Sequence, residues 1–293
     1  MRCKPKLWQG FLAMGFASSA ILTLAQDQYD SKLSAEAEKT AKTLSQQIRK
    51  EISQLKNHEW AGEYYEGDGL GENVSLTIAP KHGYVFEWHG CLGLYDRNYG
   101  HVTATNERLQ LSFTFTNKQE GFGGIANEFI TVRWGERIYL VPPRDIVGFC
   151  NEVNSGFEPR NNPHGRYLLR RGDEKRKAKG DPAVPPEFQT CLLKQPIKAS
   201  ITQILKTSTR PSRADFQFKD TTVTISSGKK HGLRPGMELY VTDPDRLVIT
   251  VTVLNVLENT SEGIITQIVK YDPAPKVGWT LSTSPPWRAA FSH

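Results

Sequence analysis

Gly83-Tyr84-Val85-Phe86-Glu87-Trp88-His89-Gly90 carries the pattern that decides the fold. Tyr84, Phe86 and Trp88 fall on alternate positions, so all three leave a strand on one face while Glu87 and His89 leave on the other. Glycines bound the run at both ends. The same period of two governs Val74, Leu76 and Ile78 before it and Leu109, Leu111, Phe113 and Phe115 after it, with Ser112 and Thr114 on the opposite face. It recurs over 129–134 and 137–141. Turns are expected at Gly93, Gly100, the Gly121-Phe122-Gly123-Gly124 run and Gly135-Glu136. Short strands at regular spacing, each with one apolar face, predict an antiparallel meander or barrel.

Towards the N-terminus the period changes. Ala37, Ala41, Leu44, Ile48, Glu51 and Leu55 stand at four-three spacing, which predicts an amphipathic helix within 26–57, capped by Ser34 and with Glu36 and Glu38 in its first turn. Ahead of it, Arg2, Lys4 and Lys6 precede an uncharged run from Leu7 to Ala25. Residues 1–25 therefore read as a targeting segment, either cleaved after Thr23-Leu24-Ala25 or retained as an anchor through 7–25. Either way the body is expected to be exported, periplasmic or extracellular, touching a membrane only through that segment. Lys and Arg number 37 and Asp and Glu 31, a formal +6; without the three basic residues of the leader the balance is +3, too mild to imply nucleic acid.

Towards the C-terminus, Pro142-Pro143 ends the first series of strands, and 144–154 is expected to be a short helix. With a last strand at 167–169, the first β-domain spans 58–170. Residues 171–196 combine charges with Pro182, Pro185, Pro186 and Pro196 and are expected to be a linker. A second small β-barrel domain follows over 197–284, with a tail at 285–293. Its strands are expected at 197–205, 215–218, 221–225, 238–241, 247–256 and 263–269, with a tight turn at His231-Gly232-Leu233-Arg234-Pro235-Gly236-Met237. The chain is thus expected to be mainly β.

The first domain resembles a lipocalin-type barrel. Trp60-Ala61-Gly62-Glu63-Tyr64 stands after a helix and before a meander, where such barrels begin, although Gly62 follows the tryptophan rather than preceding it. The resemblance implies a cavity for one small, mostly apolar ligand lined by Tyr84, Phe86, Trp88, Phe113, Phe115 and Trp134; the alternative is that these rings simply fill the core. The second domain is similar to small β-barrel modules of bacterial envelope and flagellar or rod-shape assembly proteins, through Gly232-Leu233, Gly236-Met237 and Ser261-Glu262-Gly263. That resemblance implies contact with other envelope proteins.

Motifs of catalysis are scarce. Gly-x-Ser-x-Gly and His-Glu-x-x-His do not occur, and Gly121 to Gly124 lacks the Lys-Ser/Thr of a phosphate loop. His89, Cys91 and His101 lack metal-ligand spacing, so neither a metal nor a cofactor is expected. Outside the leader the cysteines are Cys91, Cys150 and Cys191; Cys91–Cys150 is the expected disulfide, since both lie in the first domain. These readings converge on an exported, non-enzymatic envelope protein acting through protein–protein contacts, with a small-ligand carrier as the alternative and an enzyme of unknown class behind both.

Overall fold

The computed structural model describes residues 31–67, 71–119, 123–159, 167–211, 217–242, 249–269 and 272–286. The expected leader lies outside them. Ser34 begins helix α1 (Ala35–Gln54): its Oγ accepts the Ala37 N–H at 3.2 Å, and Ala37, Ala41 and Ile48 form the buried stripe. Glu51, the polar member of that stripe, accepts the backbone N–H groups of Lys81 and His82 at 2.9 and 3.1 Å, with His82 Nδ1 2.7 Å away. No described helix is long and apolar enough to cross a membrane.

The chain is mainly β. Strands β1 (Gly62–Gly67), β2 (Glu72–Ala79), β3 (Gly83–Gly90), β4 (Gly93–Thr105), β5 (Arg108–Phe113), β6 (Glu128–Trp134), β7 (Arg137–Val141) and β8 (Leu168–Arg170) follow one another in a closed barrel. After helix α2 (Ile146–Asn154) come β9 (Lys198–Pro211), β10 (Gln217–Ile225), β11 (Glu238–Val241), β12 (Thr250–Val256), β13 (Ser261–Ile268) and β14 (Thr280–Ser282). These form a second closed barrel in the order β10-β13-β12-β11-β14-β9. Cα proximity divides the chain into two compact units, 1–104 with 109–127 and 105–108 with 128–293.

In the first unit Val74, Leu76 and Ile78 lie opposite Trp88, Phe86 and Tyr84, so the predicted apolar faces meet on one side of the sheet. Leu76, Ile78, Tyr84, Phe86, Leu109 and Leu111 are buried, while Ser112 and Thr114 are exposed. Gly100, expected at a turn, instead lies within β4 opposite Tyr84, where a Cβ would come 2.0 Å from Ser112 O. Its neighbours Asp96 and Asn98 are also buried. Asp96 accepts Lys32 Nζ at 2.7 Å and the Arg97 N–H at 2.9 Å. Asn98 Oδ1 accepts the N–H groups of Thr114 and Phe115 at 3.1 and 3.3 Å, and its Nδ2 donates to Phe115 O at 2.9 Å.

The second unit has one core, running from Ile130, Val132 and Tyr139 through Phe149 and Cys150 to Val223, Leu239, Val251 and Leu281. The Pro-rich passage 171–196, expected as a linker, is built into this unit. Trp134 Nε1 donates to Gly180 O at 2.6 Å, and the Ala183 N–H to Arg133 O at 2.7 Å. Buried Asp173 accepts the Ile138 N–H at 3.0 Å, and Val184 and Cys191 enter the core. Proline has no N–H to donate, so the one strand-like bridge of this passage among the described residues, Ala183 with Arg133, falls between Pro182 and Pro185.

Candidate functional site

The six rings expected to line a pocket do not gather in one place. Tyr84 and Phe113 meet edge to face at 6.3 Å, with Phe86 buried on the same side as Tyr84. Trp88 is half-buried. Phe115 stacks edge-on against Tyr99 at 5.3 Å, because β5 ends at Phe113 and Asn98 takes up the backbone of Thr114 and Phe115. Trp134 belongs to the second unit's core, packed on Phe149, which also meets Tyr139 and Tyr167 at 5.2 and 5.4 Å.

The expected Cys91–Cys150 disulfide is corrected. All three cysteines are thiols: Cys91 is exposed just after β3, whereas Cys150 is buried on α2 and Cys191 in the core of the same unit. Burial raises the Cys150 thiol to about 12, helped by the nearby Cys191, so neither thiolate nor nucleophile forms there near neutrality.

Around the far end of α2, polar side chains answer backbone. Asn151 Nδ2 donates to Gly236 O at 2.9 Å; Asn154 bonds Cys191 O and the Leu193 N–H at 2.8 and 2.9 Å. Between them Glu152, half-buried, accepts the Tyr167 hydroxyl. Burial, and then the charge of Glu238, lift its carboxyl to about 7. A carboxyl that keeps its proton near neutrality beside a second carboxylate has the composition of an acid–base pair, but both are committed to the α2–β11 junction, where Ser155 Oγ also lies 3.1 Å from Tyr240 OH.

A groove of about 890 Å³ opens where β9 begins beside β14. Lys194, Pro196, Lys198, Ala199, Thr242, Leu281, Ser284 and Pro286 line it, with Thr280 and Ser282. Its floor is pinned by the Thr283 N–H to Ile197 O at 3.1 Å and by the Ile197 N–H to Thr283 Oγ1 at 2.9 Å. Pro196 and Pro285-Pro286, which have no backbone N–H to donate, stand at its margins. Among the described residues the lining holds hydroxyls and two lysines and no carboxylate, thiol or imidazole. Sequence reading passed over it; the run Ser282-Thr283-Ser284-Pro285-Pro286, hydroxyls ending in prolines, was its one signal. No family model, curated protein or solved structure matches the chain.

Proposed function

We propose that this is an exported, non-enzymatic protein of the cell envelope whose second barrel docks other proteins. The groove at the start of β9 carries the reading: it is open, holds two lysines with no carboxylate beside them among the described lining residues, and offers hydroxyls and prolines to a peptide segment. The first unit supports a scaffold rather than a carrier, since Leu76, Ile78, Tyr84, Phe86 and Leu109 are wholly removed from solvent, as side chains of a filled interior are. Export rests on the basic start and uncharged run of residues 1–25.

The test is photo-crosslinking in intact cells, with a photoreactive residue at Ser284 or Thr242 in the groove and at Thr114 as control. Discrete protein adducts are expected from the groove positions only, lost in the double substitution Lys194→Glu, Lys198→Glu, and degraded by protease added to cells whose outer layer is opened. Adducts that ignore those charges would refute docking at the groove, and protection from the protease would refute export.

A further inference from the structure

Among the described residues, strand β9 of the second barrel has a backbone edge that no other strand covers. Strand β14 accompanies β9 only from Lys198 to Ser200, and Ile201 makes the last bonds on that side, its N–H to Trp279 O at 2.9 Å and its O from the Gly278 N–H at 2.8 Å. Residues 206–211 then lie in unbroken register with 217–222 of β10. Every second residue of an antiparallel strand turns its N–H and C=O away from its partner. Among the described residues nothing receives those groups, and 206–211 are all exposed. The other margin of the same arm is capped at its end, at Ile268. There β13 outruns β12 beyond Ile264, and Asp272 accepts the Ile268 N–H at 2.7 Å while Gln267 Nε2 donates to Pro273 O at 2.6 Å.

An open edge is a template for an extended chain, and its side chains choose which. Register shifts at Thr202 and Leu205 keep the straight part short, and Lys206, Arg210 and Pro211 stand on it. Such residues stop like edges from pairing, since cations would face cations across the join. An acidic strand meets the opposite situation. Strand β9 carries Lys198, Lys206 and Arg210 and no acid, and Lys206 and Arg210 share a face. Arg210 is partly answered by Asp220 at 2.8 Å; Lys206 lies opposite Thr222.

We infer that the β9 edge at 206–211 takes up an extended acidic segment of a partner protein as an added antiparallel strand. This rests on the docking reading of the second barrel and names the chemistry of what docks. The test uses the isotope-labelled full chain with a capped peptide of alternating threonine and glutamate, against a peptide with lysine in place of glutamate. The acidic peptide should bind about tenfold tighter, with amide shifts concentrated at 206–210, and Lys206→Glu should weaken it about tenfold. Of Thr207→Pro and Ser208→Pro, one should abolish binding with the barrel's amide pattern kept, because only one of those N–H groups faces outward. Shifts at Lys194, Lys198 and Ser284 instead would overturn strand addition and leave groove docking standing. Equal binding of both peptides, no binding of either, or dimerisation of the chain through β9 would each overturn the inference.

Discussion

Replacing Glu152 by glutamine should make the protein more stable above neutrality and leave it unchanged below pH 4.5. Burial, then Glu238, raise the Glu152 carboxyl from an ordinary 4.5 to about 7. A group that binds its proton more tightly when folded contributes stability in full below the unfolded value, and loses it as pH rises through the folded one. The window is therefore 4.5 to about 7. At about 1.36 kcal/mol for each tenfold change in proton affinity, the whole span would be worth about 3 kcal/mol. Glu152 is only half-buried, so solvent screening brings the expectation to about 1 kcal/mol. Glutamine keeps an acceptor for the Tyr167 hydroxyl and carries no charge at any pH. The assay is urea denaturation at stepped pH, following fluorescence and hydrogen exchange in α2, with the difference between variant and parent as readout. Groups such as Asp220, whose carboxyl is lowered by Thr266 and then Arg210, cancel in that difference. A difference that stays flat from 4.5 to about pH 8, or turns against the glutamine variant as pH rises, would refute the reasoning.

Three further outcomes are expected. Lys32→Ala strands Asp96, which is 2% exposed, and should cost about 3 kcal/mol in thermal unfolding of the first unit; a cost within experimental error would show that the pair is not buried in solution. Gly100→Ala should cost about 2–3 kcal/mol, because its methyl would meet Ser112 O and backbone cannot yield as a side-chain tip does; an unchanged melting curve would contradict the close approach of β4 and β5. In a Cys3→Ser chain, a thiol reagent should modify Cys91 at once and reach Cys150 and Cys191 only on denaturation; immediate reaction of all three would contradict the core.

Strands with one clean apolar face were legible. The 238–241 run coincides with β11, and Val74, Leu76 and Ile78 share a buried face of β2 opposite Trp88, Phe86 and Tyr84; the 137–141 run coincides with β7, which is buried on both faces. Strand β4 was not legible, although it is long. Its buried positions are three consecutive polar residues, Asp96, Arg97 and Asn98, which leave no apolar alternation, and most of what satisfies them (Lys32, Glu87, Gly124 and the backbone at 114–115) is remote in sequence. Trp134 misled for the reverse reason: β6 has apolar residues on both faces, and alternation alone does not say which face meets which core. Strand β9 outran its expected end because 206–211 has no buried face to leave a periodic trace. The groove shared that handicap, since it is made of backbone direction and hydroxyls rather than of a motif.

Polar capacity in the second unit is spent unevenly. Inside, Asn151, Asn154 and Asp173 each meet backbone partners, and Arg137 is held by Arg176 O at 2.6 Å and Glu158 at 2.7 Å. Buried polar groups must be matched in this way, because an unmatched one costs about 1–3 kcal/mol. Along β9 the opposite holds: Lys194 and Lys198 face an open groove, and the backbone of 206–211 faces water. Water satisfies such groups at little cost, so leaving them exposed carries no penalty for folding. It does carry a hazard of self-association, against which Lys206, Arg210 and Pro211 stand guard. Guarding an edge with cations is a narrower solution than capping it, as Asp272 caps the end of β13, because it excludes copies of the same strand and still admits an acidic one. With the end of β13 capped at Ile268 and 206–211 only guarded, β9 is the margin along which the proposed acidic strand would add.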